Sequence, residues 1–135
     1  MNSKSGFTLI EIMVVVIIIA ALAGMVLPHL MDKPDQAKAD IARADIRSIN
    51  TALKLFKLDT GKYPAGDDGL KSLIKKPPSS VDNWRGPYLE KEPNDPWKNP
   101  YQYKNPGSRG VIGVDVFSTG PDGQLGTDDD VWPDE

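Results

Sequence analysis

The chain has 135 residues, room for one small domain, and its formal charge of −3 gives no strong attraction to nucleic acid. It has no cysteine, which excludes disulfide bonds, thiolate metal sites and a cysteine nucleophile. A small domain without disulfides needs another source of stability, so a metal ion or an assembly partner is expected.

An apolar segment lies near the N-terminus. Residues 12–27 carry no charged or strongly polar side chain, and counted from Phe7 the segment reaches the roughly 20 residues that a membrane-crossing helix needs. A secretory signal peptide would use Lys4 as its charged start and residues 21–23 as its cleavage site. A plain membrane anchor is the second interpretation. Neither explains Glu11, since a carboxylate inside a spanning helix costs about 2.5–3.5 kcal/mol.

The residues around this carboxylate support a third interpretation. Residues 6–11 read GFTLIE, which resembles the type IV prepilin processing motif, and residues 1–6 form a short basic leader. The resemblance implies that a prepilin peptidase cuts between Gly6 and Phe7, methylates the new N-terminus and leaves the apolar helix on the mature protein. It also implies that Glu11 meets the Phe7 amine of a neighbouring subunit during assembly. Such an ion pair sets the register between subunits better than it adds stability.

An amphipathic helix is predicted to continue the apolar segment. Pro28 and Pro34 should kink or locally interrupt it, because proline lacks a backbone donor and clashes with the preceding turn. A glycine suited to a C-terminal cap follows Thr60, so one helix is expected to end there, with a transmembrane part at 7–27 and an amphipathic part at 28–60. Steps of three and four residues mark its apolar face, and charged residues, among them Lys38, Asp45 and Lys54, are expected on the opposite one. The apolar face is formed by Ala42, Ile46, Ile49, Leu53 and Phe56.

Residues 61–135 are predicted to form a small globular region. Residues 67–74 indicate a short helical piece. Residues 101–103 alternate in polarity and residues 111–117 are rich in β-branched side chains, and an Asn-Pro-Gly turn between them favours an antiparallel hairpin. The expected fold class is α+β, with the long helix packed on a small antiparallel sheet.

Three later segments narrow the resemblance. Residues 58–77, 86–107 and 117–130 are similar to the major pseudopilins of type II secretion systems, so the match covers nearly the whole chain. The resemblance implies a structural subunit of a periplasmic fibre that drives protein export. It further implies a single-pass protein of the bacterial inner membrane with residues 61–135 in the periplasm. His29 stands where asparagine is common in the family, which puts no function in doubt.

The C-terminal loop is a candidate calcium site. From Asp115 to the end the chain carries seven acidic side chains and no lysine or arginine, and taken alone such a run fits a solvated surface equally well. Interleaved glycines let the backbone turn, and oxygen donors suit Ca²⁺, although the spacing is not that of an EF-hand. The family resemblance implies that Asp122, Asp129 and Asp130 bind calcium together with the backbone carbonyl of Thr119. It leaves open whether the neighbouring Asp128 faces solvent or reaches the ion through water.

Function follows from what the chain lacks and from what it resembles. With one histidine, no cysteine, no nucleophile elbow and no phosphate-binding loop, it is not expected to be an enzyme. A membrane-anchored calcium-dependent hydrolase is a distant alternative. The nearer alternative is a type IV pilin used in motility, adhesion or DNA uptake. Adhesive pilins usually carry a C-terminal disulfide, which this chain cannot form.

Partners are also implied by the resemblance. They are further copies of the chain in a helical fibre, minor pseudopilins, the prepilin peptidase, an inner-membrane platform with its cytoplasmic ATPase, and an outer-membrane secretin. Nucleic acid is not expected as a partner, because the basic residues of the helix are interspersed with acids and lack aromatic stacking partners.

Overall fold

The computed structural model of the chain describes residues 5–78, 82–110 and 112–133, and the side chains within residues 26–33 lie outside the description. Residues 1–4 of the predicted leader are therefore not covered. The chain divides into two compact units, Met1–Gln36 and Ala37–Glu135. The boundary falls inside the long helix, so the last part of the helix folds as one unit with the residues that follow it.

Four elements are present in the described residues. In chain order they are helix α1 at Leu9–Thr60, a short 3-10 helix at Gly69–Leu73, strand β1 at Gln102–Lys104 and strand β2 at Asp115–Phe117. The strands form a two-stranded antiparallel sheet. The predicted combination of a long helix with a small antiparallel sheet is confirmed.

The N-terminal part of α1 is exposed in this chain. The helix begins at Leu9, two residues later than expected, and its large apolar side chains up to Met25 are all exposed. Among the helices of the described residues, none combines the length and hydropathy that a membrane crossing requires. The transmembrane assignment of 7–27 stays a prediction.

The two prolines do not interrupt the helix. Helix α1 is continuous through Pro28 and Pro34 as far as Thr60. A proline removes one backbone donor, and the turns on either side keep their other hydrogen bonds. Of the two outcomes expected for these residues, interruption is not observed, and the bend stays a prediction.

The apolar face of α1 is confirmed as the centre of the core. The five predicted residues are each 2% exposed or less, and they pack with Leu73, Tyr101, Val114 and Val116. Burying each of the four larger side chains, those of Ile46, Ile49, Leu53 and Phe56, stabilises the fold by about 1.5–3 kcal/mol. The helix ends as predicted, because Gly61 has a φ of 84° and its N–H donates to the Lys57 carbonyl at 2.8 Å.

The hairpin pairs as predicted but is shorter. Gln102 lies opposite Phe117, and Lys104 lies opposite Asp115. Strand β2 begins at Asp115, because residues 108–110 turn back to hydrogen-bond with the Asp115 carboxylate. Residue 111, where the strand was predicted to begin, lies outside the described residues. The predicted helical piece at 67–74 is a single 3-10 segment.

Candidate assembly and metal-binding sites

The predicted cleavage point lies just before helix α1. Gly6 and Phe7 are exposed, and Phe7 retains 83% of its accessible surface. Neither residue lies within the helix, so a peptidase could reach the bond between them without breaking helical hydrogen bonds. This position suits processing, and the processing itself stays a prediction.

Glu11 has a local partner that the sequence analysis missed. The backbone N–H and the hydroxyl of Thr8 donate to Glu11 Oε2 at 2.9 and 3.1 Å, and the N–H of Glu11 donates to Thr8 Oγ1 at 3.3 Å. This reciprocal arrangement is a capping box, and it explains why α1 begins at Leu9. The spacing Thr-x-x-Glu was the signal in the sequence. Glu11 therefore organises the start of its own helix, whatever contact it makes with a neighbour.

The loop at residues 119–130 is closed at its base. Ser118 and Val131 exchange two backbone hydrogen bonds of 3.0 and 2.9 Å, and Thr119 beside them is 3% exposed. Gly120 has a φ of 65°, and a side-chain carbon there would overlap the carbonyl oxygen of Asp129. The two ends of the loop thus lie against each other, and this contact requires glycine at position 120.

The acidic side chains of the loop are only partly organised. Asp122 Oδ1 accepts from the Gln124 N–H at 2.9 Å, and Asp130 Oδ2 accepts from the Gly126 N–H at 2.9 Å. Asp128 and Asp129 are exposed. Within the described residues, no three histidine, cysteine, aspartate or glutamate side chains are placed so that they could hold a metal ion together. The structure does not gather the three predicted carboxylate ligands.

The donor chemistry of the loop nevertheless fits calcium. Carboxylates and backbone carbonyls in a loop of this kind are the ligands that Ca²⁺ takes. Asp130 Oδ1 is shielded from solvent and accepts no hydrogen bond within the described part of the chain. Asp128 and Asp130 line a cavity of about 460 Å³ together with Lys104 and Arg109. For one calcium ion to bind all three predicted carboxylates, Asp122 and Asp129 would have to approach Asp130.

A buried aspartate ties the base of this loop to the rest of the fold. Asp95 is 4% exposed, and its Oδ1 accepts from the Trp97 and Asn99 N–H groups at 3.0 and 2.8 Å. Its Oδ2 accepts from the Ser118 hydroxyl at 2.5 Å, and Ser118 Oγ accepts from the Gly120 N–H at 3.0 Å. Sequence analysis missed Asp95, although a side chain bonding the backbone two residues ahead is a common turn device.

A second buried carboxylate organises the hairpin loop. Asp115 is 1% exposed and accepts from the Ser108 N–H at 2.7 Å, the Ser108 hydroxyl at 3.0 Å, and the N–H groups of Arg109 and Gly110. Burial raises the pKa of Asp115, but these hydrogen bonds together outweigh it, so its pKa lies below the ordinary value of 3.8. Sequence analysis placed this residue in a predicted strand and counted it in the acidic C-terminal run, but assigned its carboxylate no role in the loop.

Comparison with known families covers both parts of the chain. The family model described as type II secretion system protein G matches residues 29–132. The model described as the prokaryotic N-terminal methylation motif matches residues 1–27.

Several individual proteins are similar over nearly their full length. The type II secretion system core protein G of Pseudomonas aeruginosa is 49% identical over 131 residues, which is 95% of this chain and 91% of that protein. The protein of the same name from Vibrio cholerae is 44% identical over 93% of this chain and 86% of its own length. A crystal structure of the major pseudopilin from the type 2 secretion system of enterohaemorrhagic Escherichia coli matches with a TM-score of 0.70 and 35% identity, covering 76% of this chain and 87% of that one.

Proposed function

The chain belongs to the type II secretion system protein G family, and from this membership we propose that it is the major pseudopilin of such a system. Copies of it polymerise into the periplasmic pseudopilus that drives protein export. The observation that carries this proposal is that one chain matches the methylation motif at residues 1–27 and the protein G family at residues 29–132.

Pseudopilins with this methylation motif are membrane-anchored, with the rest of the protein in the periplasm. We place the anchor of this chain in the bacterial inner membrane as a single pass through residues 7–27. Cleavage between Gly6 and Phe7 and methylation of Phe7 prepare the subunit for assembly. Minor pseudopilins, the platform with its ATPase, the prepilin peptidase and the secretin complete the system. The subunit itself performs no catalysis.

The geometry at Glu11 supports the proposed role of this residue in assembly. Both hydrogen bonds from Thr8 end on Oε2, so Oε1 is the oxygen that the Phe7 amine of a neighbouring subunit would approach. The capping box holds the carboxylate at a fixed place at the start of α1, which reduces the side-chain entropy lost when the pair forms.

We propose that the C-terminal loop binds a calcium ion. The ion would be coordinated by the carboxylates of Asp122, Asp129 and Asp130 and by the backbone carbonyl of Thr119. The shielded Oδ1 of Asp130 supports this proposal, because a cation there would give it a partner. Bound calcium supplies a positive charge that lets the carboxylates approach one another, and no reaction step depends on it.

The test is complementation. The full chain is expressed in a bacterium that has a type II secretion system but lacks its own major pseudopilin, and fibres and secreted protein are measured. We expect both to be restored, and we expect Glu11→Leu to abolish both while the protein is still processed and inserted. Surface pili without any restored export would instead establish the type IV pilin alternative. N-terminal sequencing of the same protein should begin at methylated Phe7, and a start at residue 24 would show that residues 1–23 are a signal peptide.

A further inference from the structure

Two adjoining cavities form a groove beside the 3-10 helix and the end of α1. Their volumes are about 510 and 260 Å³, and Ser72 and Pro77 line both of them. Apolar residues contribute much of the wall of the larger cavity, among them Phe56, Pro64 and Ala65. We call this surface, formed by the residues that line the two cavities, the lysine groove.

A buried hydroxyl lies where the two cavities meet. Ser72 is 1% exposed, and its Oγ has no hydrogen-bond partner within the part of the chain that the structure describes. The backbone around it is fixed, because the Ser72 carbonyl accepts from Trp84 Nε1 at 2.9 Å. Buried polar atoms in folded proteins are nearly always paired, so an occupant of the groove that offers a donor or an acceptor is favoured here.

The groove is basic at both ends. Two lysines line the larger cavity and three line the smaller one, whereas two carboxylates are found among the described residues that line them. All five lysines are exposed, so their charges face an incoming ligand. The lysines are Lys57, Lys62, Lys71, Lys75 and Lys76, and the carboxylates are Asp67 and Asp68.

We propose that the lysine groove binds a short, extended, acidic segment of another protein. An apolar side chain of the segment fills the larger cavity, its carboxylates lie near the lysines at both ends, and its backbone pairs with the Ser72 hydroxyl. A small carboxylate would fill one cavity, whereas cations at both ends suit a segment that spans the two. This interaction goes beyond the proposed polymerisation and does not depend on it.

The test uses the full chain in a nonionic detergent and the peptide acetyl-EELFEE-amide with a neutral fluorescent label. We expect saturable binding by fluorescence anisotropy, and we expect it to weaken when NaCl is raised from about 50 to about 500 mM. The peptide KKLFKK, with opposite charge, should not bind, and EEGSEE, without large apolar side chains, should bind at least tenfold more weakly.

Three results would overturn the proposal. The first is equal binding of EELFEE and KKLFKK. The second is binding of octanoate in the groove without binding of the acidic peptide, since the site would then take a small molecule. The third is dissociation of oligomers of the chain as the peptide binds, since the groove would then be a contact between copies.

Ser72→Ala separates a binding role from a structural one. Because the Ser72 hydroxyl has no partner in the unbound chain, its removal should leave the melting temperature unchanged or raise it, while peptide binding weakens roughly fivefold. Unchanged affinity would contradict the proposal. A melting temperature that falls by more than about 4 °C would also contradict it, because the hydroxyl would then have a partner within the fold.

Charge reversal at the two ends gives a further readout. K62E combined with K75E should weaken binding at least tenfold, since one lysine is reversed in each cavity. K91E is the matched control, because Lys91 is exposed and lines neither cavity, and it should leave the affinity unchanged. Equal losses in the control and in the double variant would show general attraction to a basic protein and would overturn the assignment to this groove.

Discussion

The loop before strand β2 and the loop after it use carboxylates in opposite ways. In the first, Asp115 is buried and receives hydrogen bonds from three successive residues, so one side chain determines the path of the backbone. In the second, Asp122 and Asp130 each receive one backbone hydrogen bond, and Asp129 is exposed. The first loop is organised by its own buried carboxylate, whereas the second is tied at its base and its carboxylates are only partly hydrogen-bonded.

Removing the buried carboxylate should give the largest effect on stability. Asp115→Ala leaves the N–H groups of residues 108–110 without their acceptor, which should cost on the order of 3 kcal/mol in the free energy of unfolding. Denaturant unfolding of a truncated chain beginning at residue 31 measures this. Asp122→Ala, measured in chelator, is the matched control and should cost less than about 0.5 kcal/mol. Equal losses in the two variants would remove the contrast between the loops.

Calcium should stabilise the second loop and leave the first one unaffected. A ligand that binds only the folded chain adds about 2.7 kcal/mol at 100 times its Kd, so the melting temperature of the same truncated chain should rise with calcium and fall with chelator. Magnesium should substitute weakly, because it demands a tighter octahedral geometry. A melting curve that calcium does not move between micromolar and millimolar concentrations would leave the loop a solvated acidic segment.

Single substitutions distinguish the three proposed carboxylate ligands from the neighbouring Asp128. Asp122→Ala, Asp129→Ala and Asp130→Ala should each abolish the calcium response, since each removes a proposed carboxylate ligand. Asp128→Ala should keep most of it. Calorimetric titration of each variant measures the loss, and a response that survives in all four would place the ion elsewhere.

The base of the second loop offers a smaller test. Ser118→Ala removes the hydroxyl that donates to Asp95 and accepts from Gly120, which should cost about 1–2 kcal/mol without calcium. Since the loop ends are then less firmly held, calcium should also bind more weakly. Ser48→Ala is the control, because the Ser48 hydroxyl is exposed and donates only to a carbonyl of its own helix. An unchanged calcium affinity in Ser118→Ala would show that Asp95 does not position the site.

The regular elements were predictable, and the irregular ones were not. The spacing of Ile46, Leu53 and Phe56 predicted the buried face of α1, because periodicity is a direct consequence of helix geometry. The shared role of Asp95 and Asp115 was missed, because it depends on where loop N–H groups point, and no repeating pattern encodes that. Glu11 lies between these cases. Its Thr-x-x-Glu spacing is a recognisable capping signal, but the spacing lies within a segment whose apolar composition alone already predicts a helix.

The surroundings of the charged residues of α1 could not be predicted from the sequence either. Asp45 was expected among charged residues facing away from the core, yet it lies beside the core and accepts a hydrogen bond from Tyr101. The pattern identified the side that is buried. It did not predict which other residues of the helix contact the domain, because those contacts come from loops, which helical periodicity does not describe.

The pH dependence of unfolding is the finest test of the contrast between the two loops. The pKa of Asp115 is lower in the folded chain than the ordinary value of 3.8, because its hydrogen bonds favour the carboxylate. Its stabilising contribution is therefore fully present well above pH 4, and it is lost as the pH falls from there through the folded-state pKa. The free energy of unfolding should accordingly fall more steeply below pH 4 in the unmutated chain than in Asp115→Asn, so that the two curves converge in acid. Parallel curves for the unmutated chain and Asp115→Asn would mean that the charge of Asp115 contributes nothing, and that its neighbours require only an oxygen acceptor of the right shape.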